Sequence, residues 1–161
     1  GSNLRRLNVE LVATSPLRRA IETAALSFPQ VPSLHVLENL RERHSGRACD
    51  CRASRAEIAA TLKHTRCLPD LSGLQSEDPF GAGRESTSAA ETRARLVLAW
   101  LTSRPEKIIA VVSHRWLLDK GFFGPRGLQL QMGVSILPHG FGHCEVRACA
   151  VTLDDQDRTV G

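Results

Sequence analysis

Tyrosine is absent and aromatic residues make up only 4% of the chain, so neither a base-stacking surface nor a carbohydrate groove has the side chains it needs. No run of eighteen apolar residues occurs, which leaves no membrane span encoded and no membrane partner expected. The five cysteines, at 49, 51, 67, 144 and 149, are odd in number and lack the regular spacing of a disulfide framework. A reducing, cytoplasmic compartment is the simpler expectation. Internal repeats and low-complexity tracts are missing. So is an initiating methionine: a Gly1-Ser2 start is expected of an expression scar or of a sequence that begins partway through a longer protein.

What is present is the material of one α/β-sized domain. The chain has 161 residues, 42% hydrophobic and 24% charged, enough for one real core and too short for two comfortable ones. That core has to be built from Leu, Val, Ile and Ala. The net charge of +4, from 21 basic against 17 acidic residues, is spread along the chain, which argues against a nucleic-acid-binding arm. Arg heavily outnumbers Lys. The planar guanidinium fork grips phosphate and carboxylate at two points, so an anionic small molecule is the favoured kind of ligand.

The patterning alternates between strands and helices. Asn8 to Thr14 is a short apolar run that reads as a strand, and Ser15-Pro16 is suited to open a helix with Ser as cap. Leu17, Ile21, Ala24 and Phe28 recur at helical spacing up to Pro29. Leu34 to Leu37 reads as a second strand, and Glu38 to Arg52 as a long polar functional loop. Ala53 to Thr65 returns to helix, Cys67 to Arg84 reads as a surface excursion or lid, and Glu85 to Ser103 is the clearest helix. Lys107 to Ser113 is an unbroken apolar run of the kind buried on both faces of a parallel sheet. A further helix is expected near Arg115, a strand at Val134 to Leu137 and a closing strand over Glu145 to Leu153. This order predicts an α/β, three-layer fold with a mostly parallel sheet and helices on both faces. Ligands of such sheets sit beyond the carboxyl ends of the strands, where Ser15 to Arg19 and Ser113-His114 both fall.

Three segments carry chemistry. In Thr14-Ser15-Pro16-Leu17-Arg18-Arg19-Ala20-Ile21-Glu22-Thr23-Ala24 an arginine stands in the first helical turn, where free backbone N–H groups and the helix dipole favour an anion. The second is Leu40-Arg41-Glu42-Arg43-His44-Ser45-Gly46, followed by Cys49-Asp50-Cys51-Arg52. The third runs from Glu85-Ser86 through Glu91-Thr92-Arg93, Trp100-Leu101 and Arg104-Pro105-Glu106 to Ile108–His114, ending Val-Val-Ser-His. Taken singly, Arg18-Arg19 reads as a solvated pair, Glu42 as an exposed loop carboxylate and His114 as a structural histidine.

Together and in this order, they resemble the motifs of the histidine phosphatase superfamily, the phosphoglycerate mutase-like proteins, over residues 9 to about 153. The resemblance implies Arg19 as the phosphate-binding arginine, Glu42 as general acid toward the leaving oxygen, and His114 as a donor to the phosphoryl oxygens. It implies a phosphomonoester hydrolase or mutase working through a phosphohistidine on a small phosphorylated substrate, with no metal and no cofactor. The family's nucleophile is the His of an Arg-His-Gly motif upstream of the Ser-Pro-Leu segment, and this sequence contains no Arg-His-Gly. Arg43-His44 is followed by Ser45, and Pro138-His139-Gly140 lacks the Arg. The expectation is therefore a single domain over 1–161 that lacks the first strand-helix unit and is inactive alone; the alternative is a pseudophosphatase that binds a phosphorylated ligand. A zinc site from Cys49, Cys51, His64 and Cys67 lacks the paired short spacing of structural zinc. Substrate choice is assigned to Cys67 to Arg84 and Gly121 to Gly142, and most of the remaining arginines to solvated surface.

Overall fold

A computed structural model describes residues 7–31, 33–63, 68–81, 83–125, 127 and 140–151. Four strands and three helices occur among them: β1 (Leu11–Thr14), α1 (Arg18–Ser27), β2 (Ser33–Val36), α2 (Arg55–Leu62), β3 (Leu68–Asp70), α3 (Thr87–Thr102) and β4 (Ile109–Val112). Short 3-10 turns stand at Glu38–Leu40 and Ala48–Asp50, and a wide-turned helical segment, Leu117–Phe122, follows β4. The sheet is all parallel, in the order β3-β2-β1-β4, with Val12 opposite both Leu34 and Ala110.

The two faces of β1 build two cores. Every residue of β1 is at most 1% exposed, and alternate side chains leave the sheet in opposite directions. Val12, with Leu34 and Val36 of β2, packs against Ile21 and Ala24 of α1, Phe28 just beyond its end, and Ile58 and Leu62 of α2. Leu11 and Ala13 pack instead against Ala94 and Val97 of α3 and against Leu117 and Phe122. Helices therefore cover both faces of one parallel sheet, the three-layer α/β arrangement that the alternating pattern predicts. Close approach on the second face depends on Gly121, where an added Cβ would lie 2.7 Å from the Cβ of Ala94.

The helices start where local chemistry supplies caps. Ser54 and Glu57 form a reciprocal capping box at α2, and Ser86 accepts from Ala89 N at α3. At α1 the expectation fails: the cap residue is Leu17, without a side-chain cap, because the Ser15 hydroxyl is occupied by Leu17 N and by His114.

Four further expectations are corrected or left aside. β4 is not buried on both faces; its four residues are half-buried, because no strand pairs with its outer side among the described residues. The excursion expected from Cys67 opens with β3, an edge strand, where Pro69 is tolerated because an edge has one side free of ladder bonds. No closing strand forms over residues 145–151. The chain there turns on itself: Glu145 accepts from Gly142 N and pairs with Arg147, Arg147 stacks on Phe141, and Cys144 takes a positive φ of 56°. Val134 to Leu137 lies outside the described residues.

Candidate active site

Two strand ends meet at one place. β1 runs into Ser15 and then α1, whose second residue is Arg19; β4, parallel and adjacent to β1, runs into Ser113 and His114. Arg19 Nε donates to His114 Nδ1 at 3.3 Å, joining residues 95 apart in sequence. His114 Nε2 lies 2.8 Å from Ser15 Oγ. Because Nδ1 is the acceptor, the ring proton sits on Nε2 and is directed at the serine hydroxyl. The imidazole is 7% exposed. Burial, reinforced by the neighbouring Arg19 charge, pulls its pKa down to about 3, so His114 is neutral at physiological pH.

Arg19 is half in solvent and half held. Nη1 donates to the Cys49 carbonyl at 2.6 Å, while Nη2 is 3.8 Å from Asp50 Oδ1, too far for a hydrogen bond. Its fork is thus oriented by backbone and keeps one donor face open. Asp50, in turn, is fixed by the backbone N–H and hydroxyl of Ser45. Burial raises the Asp50 pKa, but these bonds and the Arg19 charge outweigh it, leaving the carboxyl below the ordinary aspartate range.

Glu42 reaches the same end of the sheet. Its Oε2 accepts from Trp116 N at 3.3 Å, two residues after His114, and its Oε1 from Arg43 N at 2.9 Å. The guanidinium of Arg43 lies over the Trp116 ring, 5.1 Å from its centroid. All three residues singled out from the sequence, Arg19, Glu42 and His114, therefore cluster at the carboxyl ends of β1 and β4. Arg18 points elsewhere, to an exposed pair with Glu22.

The loop that carries Glu42 is held by buried arginines, which corrects their assignment to solvated surface. Arg93, 8% exposed, pairs with Glu85, 9% exposed, through Nε to Oε1 at 2.6 Å and Nη2 to Oε2 at 2.7 Å. Its Nη1 also donates to the carbonyls of Asn39 and Arg41, and Glu85 is tied to the His44 backbone in both directions. Arg41, fully buried, binds Glu38, Asp78 and the Asp50 carbonyl. Arg52 bridges Glu38 to the carbonyls of Gln75 and Glu77. Burying a guanidinium is costly unless its donors are paired, and these carboxylates and carbonyls supply the acceptors for all but the Arg41 Nε, which is buried without a partner among the described residues. The region 38–52 is thus a rigid platform rather than a free loop.

Sequence reasoning assigned Ser15 a helix-capping role only, and none to the Cys49 carbonyl, Asp50, Glu85 or Arg93. Ser15, Asp50, Glu85 and Arg93 all lie inside the quoted motifs, so their positions were marked; their partners, 30 to 99 residues away for Ser15 and Cys49, were not. Of the suggested zinc ligands, His64 and Cys67 lie outside the described residues. Cys49 and Cys51 are free thiols, and no group of three metal-ligating side chains occurs among the described residues. No helix among them is long and apolar enough to cross a membrane.

The family model described as the histidine phosphatase superfamily, branch 1, matches residues 1–120, which span all the residues of this cluster. No curated protein and no solved structure matches the chain.

Proposed function

For a chain that belongs to the histidine phosphatase superfamily, we propose that the cluster of Arg19, His114 and Glu42 is a phosphoryl-binding site for a small phosphomonoester. The observation that carries this reading is the contact between Arg19 Nε and His114 Nδ1 at the ends of two adjacent parallel strands. Arg19 meets the phosphoryl oxygens through Nη2, the donor without a close acceptor. His114 offers its Nε2 proton, turning it from Ser15 to an equatorial oxygen. Its lowered pKa supports this: a neutral imidazole gives up no favourable charge while the pocket waits, and an arriving phosphate dianion raises its proton affinity. Glu42, held by Trp116 N, in its protonated form hands its proton to the departing alkoxide, so that the leaving group departs as an alcohol and the carboxylate remains.

Transfer through a phosphohistidine needs a nucleophile on the side of phosphorus opposite the leaving oxygen. The sequence holds no Arg-His-Gly, and on this reading the attacking histidine comes from outside these 161 residues. The outer side of β4, unpaired among the described residues and leading directly to His114, is where a further parallel strand would carry it. The same absence favours a second reading, in which the 161-residue polypeptide binds a phosphorylated ligand without cleaving it. A reducing, cytoplasmic compartment suits both, since the thiols of Cys49 and Cys51 lie beside the site.

The test compares binding with turnover. Calorimetry with inorganic phosphate should show binding to the 161-residue chain that Arg19→Ala weakens at least tenfold, with no hydrolysis of p-nitrophenyl phosphate. Equal binding by Arg19→Ala would remove Arg19 from the site, and metal-independent hydrolysis by the 161-residue chain would refute the need for an outside nucleophile.

A further inference from the structure

One nucleophilic pair lies outside the phosphoryl-binding cluster. Cys51 is a free, exposed thiol whose Sγ is 3.6 Å from Nε2 of His44. His44 is 1% exposed, its ring stacked parallel on Phe80 with centroids 6.1 Å apart. The other ring nitrogen, Nδ1, accepts from Gly46 N at 3.2 Å, in a turn that Gly46 makes with a φ of 84°. That bond fixes the tautomer: Nδ1 carries a lone pair, so the proton sits on Nε2. Among the described residues the sulfur is the only partner this N–H has.

A buried, oriented N–H aimed at an exposed sulfur gives Cys51 a hydrogen-bond donor fixed in place beside its nucleophilic atom. Cys49, two residues earlier and also exposed, has the opposite surroundings, since its sulfur lies 3.8 Å from the Asp50 carboxylate. Cys144 and Cys149 are exposed without a histidine contact among the described residues.

We propose that Cys51 is a modification site: a peroxide-reactive thiol, with His44 as its positioning residue. The thiolate sulfur attacks one oxygen of hydrogen peroxide; an S–O bond forms, the O–O bond breaks, and the sulfur loses two electrons to the departing hydroxide. The hydroxide takes up the thiol's proton, so that thiol and peroxide become sulfenic acid and water. The site has consequences for its neighbours. In the thiol state Cys51 also lies 3.8 Å from the Arg47 carbonyl and 3.7 Å from that of Gly81. Its backbone N–H closes the Ala48–Asp50 turn, whose Cys49 carbonyl holds Arg19. An oxygen on this sulfur therefore presses on the turn that seats the arginine.

Treating the reduced 161-residue protein with hydrogen peroxide and dimedone, and mapping adducts by peptide mass spectrometry, tests the proposal without reference to phosphate. Cys51 should be trapped at least tenfold faster than Cys49, its internal reference. His44→Leu should bring Cys51 down to the reference rate, whereas His44→Gln, which still offers an N–H, should keep part of the advantage. Equal rates at Cys51 and Cys49 in the unsubstituted protein would overturn the proposal. So would an unchanged Cys51 rate in His44→Leu.

Discussion

Replacing Arg93 by methionine removes the cation that holds the platform beneath Glu42, and the cost can be worked from its contacts. The substitution leaves the Glu85 carboxylate 9% exposed, with the His44 N–H at 3.3 Å as its remaining donor, in place of two charged bonds at 2.6 and 2.7 Å. An uncompensated buried charge of this kind costs about 3–5 kcal/mol. A domain of this size has about 5–15 kcal/mol of stability in all, so Arg93→Met alone should bring the protein close to unfolding. Glu85→Leu, which strands the guanidinium instead, should cost a similar amount. With both replaced, the charges vanish together and the remaining penalty is that of neutral groups left without partners, the His44 N–H and the Asn39 and Arg41 carbonyls, about 1–3 kcal/mol for each that water cannot reach. Urea unfolding of the four proteins, read with a constant m-value, gives the coupling directly. A loss below about 1 kcal/mol in Arg93→Met would contradict the account of the platform as a buried ionic clamp, and so would a double variant as unstable as the two single losses added together.

Three further outcomes follow from the same geometry. Burial acts to raise the Asp78 pKa, but the Arg41 guanidinium and the N–H groups of Phe80 and Arg52 hold it down to about 2. A depressed carboxylate stabilises above its unfolded value near 3.8 and loses that contribution as pH falls through the folded one. Asp78 should thus supply about 2 kcal/mol that disappears between pH 4 and pH 2, and Asp78→Asn should flatten that part of the stability profile. For His114 the folded pKa near 3 lies below the ordinary 6.5, so below pH 6.5 the unfolded chain takes up a proton that the folded one refuses. Stability should fall there by about 1.4 kcal/mol per pH unit, and the His114 imidazole resonances should not titrate between pH 5 and 8 without phosphate; a midpoint near 6.5 would refute the burial argument. Gly121→Ala forces a Cβ to within 2.7 Å of Ala94 and should cost about 1–3 kcal/mol, relieved by Ala94→Gly in the same chain.

Much of this was legible in the sequence because local pattern and tertiary role coincide. The helical spacing after the Ser-Pro-Leu turn, that of the helix over Glu85 to Ser103 and the apolar run into His114 are local patterns, and the strands that lead into Arg19 and His114 lie side by side. Features defined by a distant partner were not legible. An apolar run such as Ile109–Val112 signals burial on both faces, yet the degree of burial depends on whether another strand lies alongside. β3, three residues long with a central proline, has no periodicity to detect. The buried arginines were misread because Arg41, Arg52 and Arg93 look like any polar stretch until Glu38, Asp78 and Glu85 close around them. The 145–151 segment alternates like a strand, but the local grip of Glu145 on Gly142 and Arg147 wins where no partner strand is present among the described residues.

The central claim is that Arg19 and His114 together hold a phosphoryl group. Titrating the 161-residue chain with inorganic phosphate while observing the His114 imidazole by NMR tests it most directly. The account predicts saturable movement of that resonance, a His114 pKa raised well above 3 in the bound state, and loss of both effects in Arg19→Ala. A resonance that ignores phosphate, or that responds equally without Arg19, would contradict it.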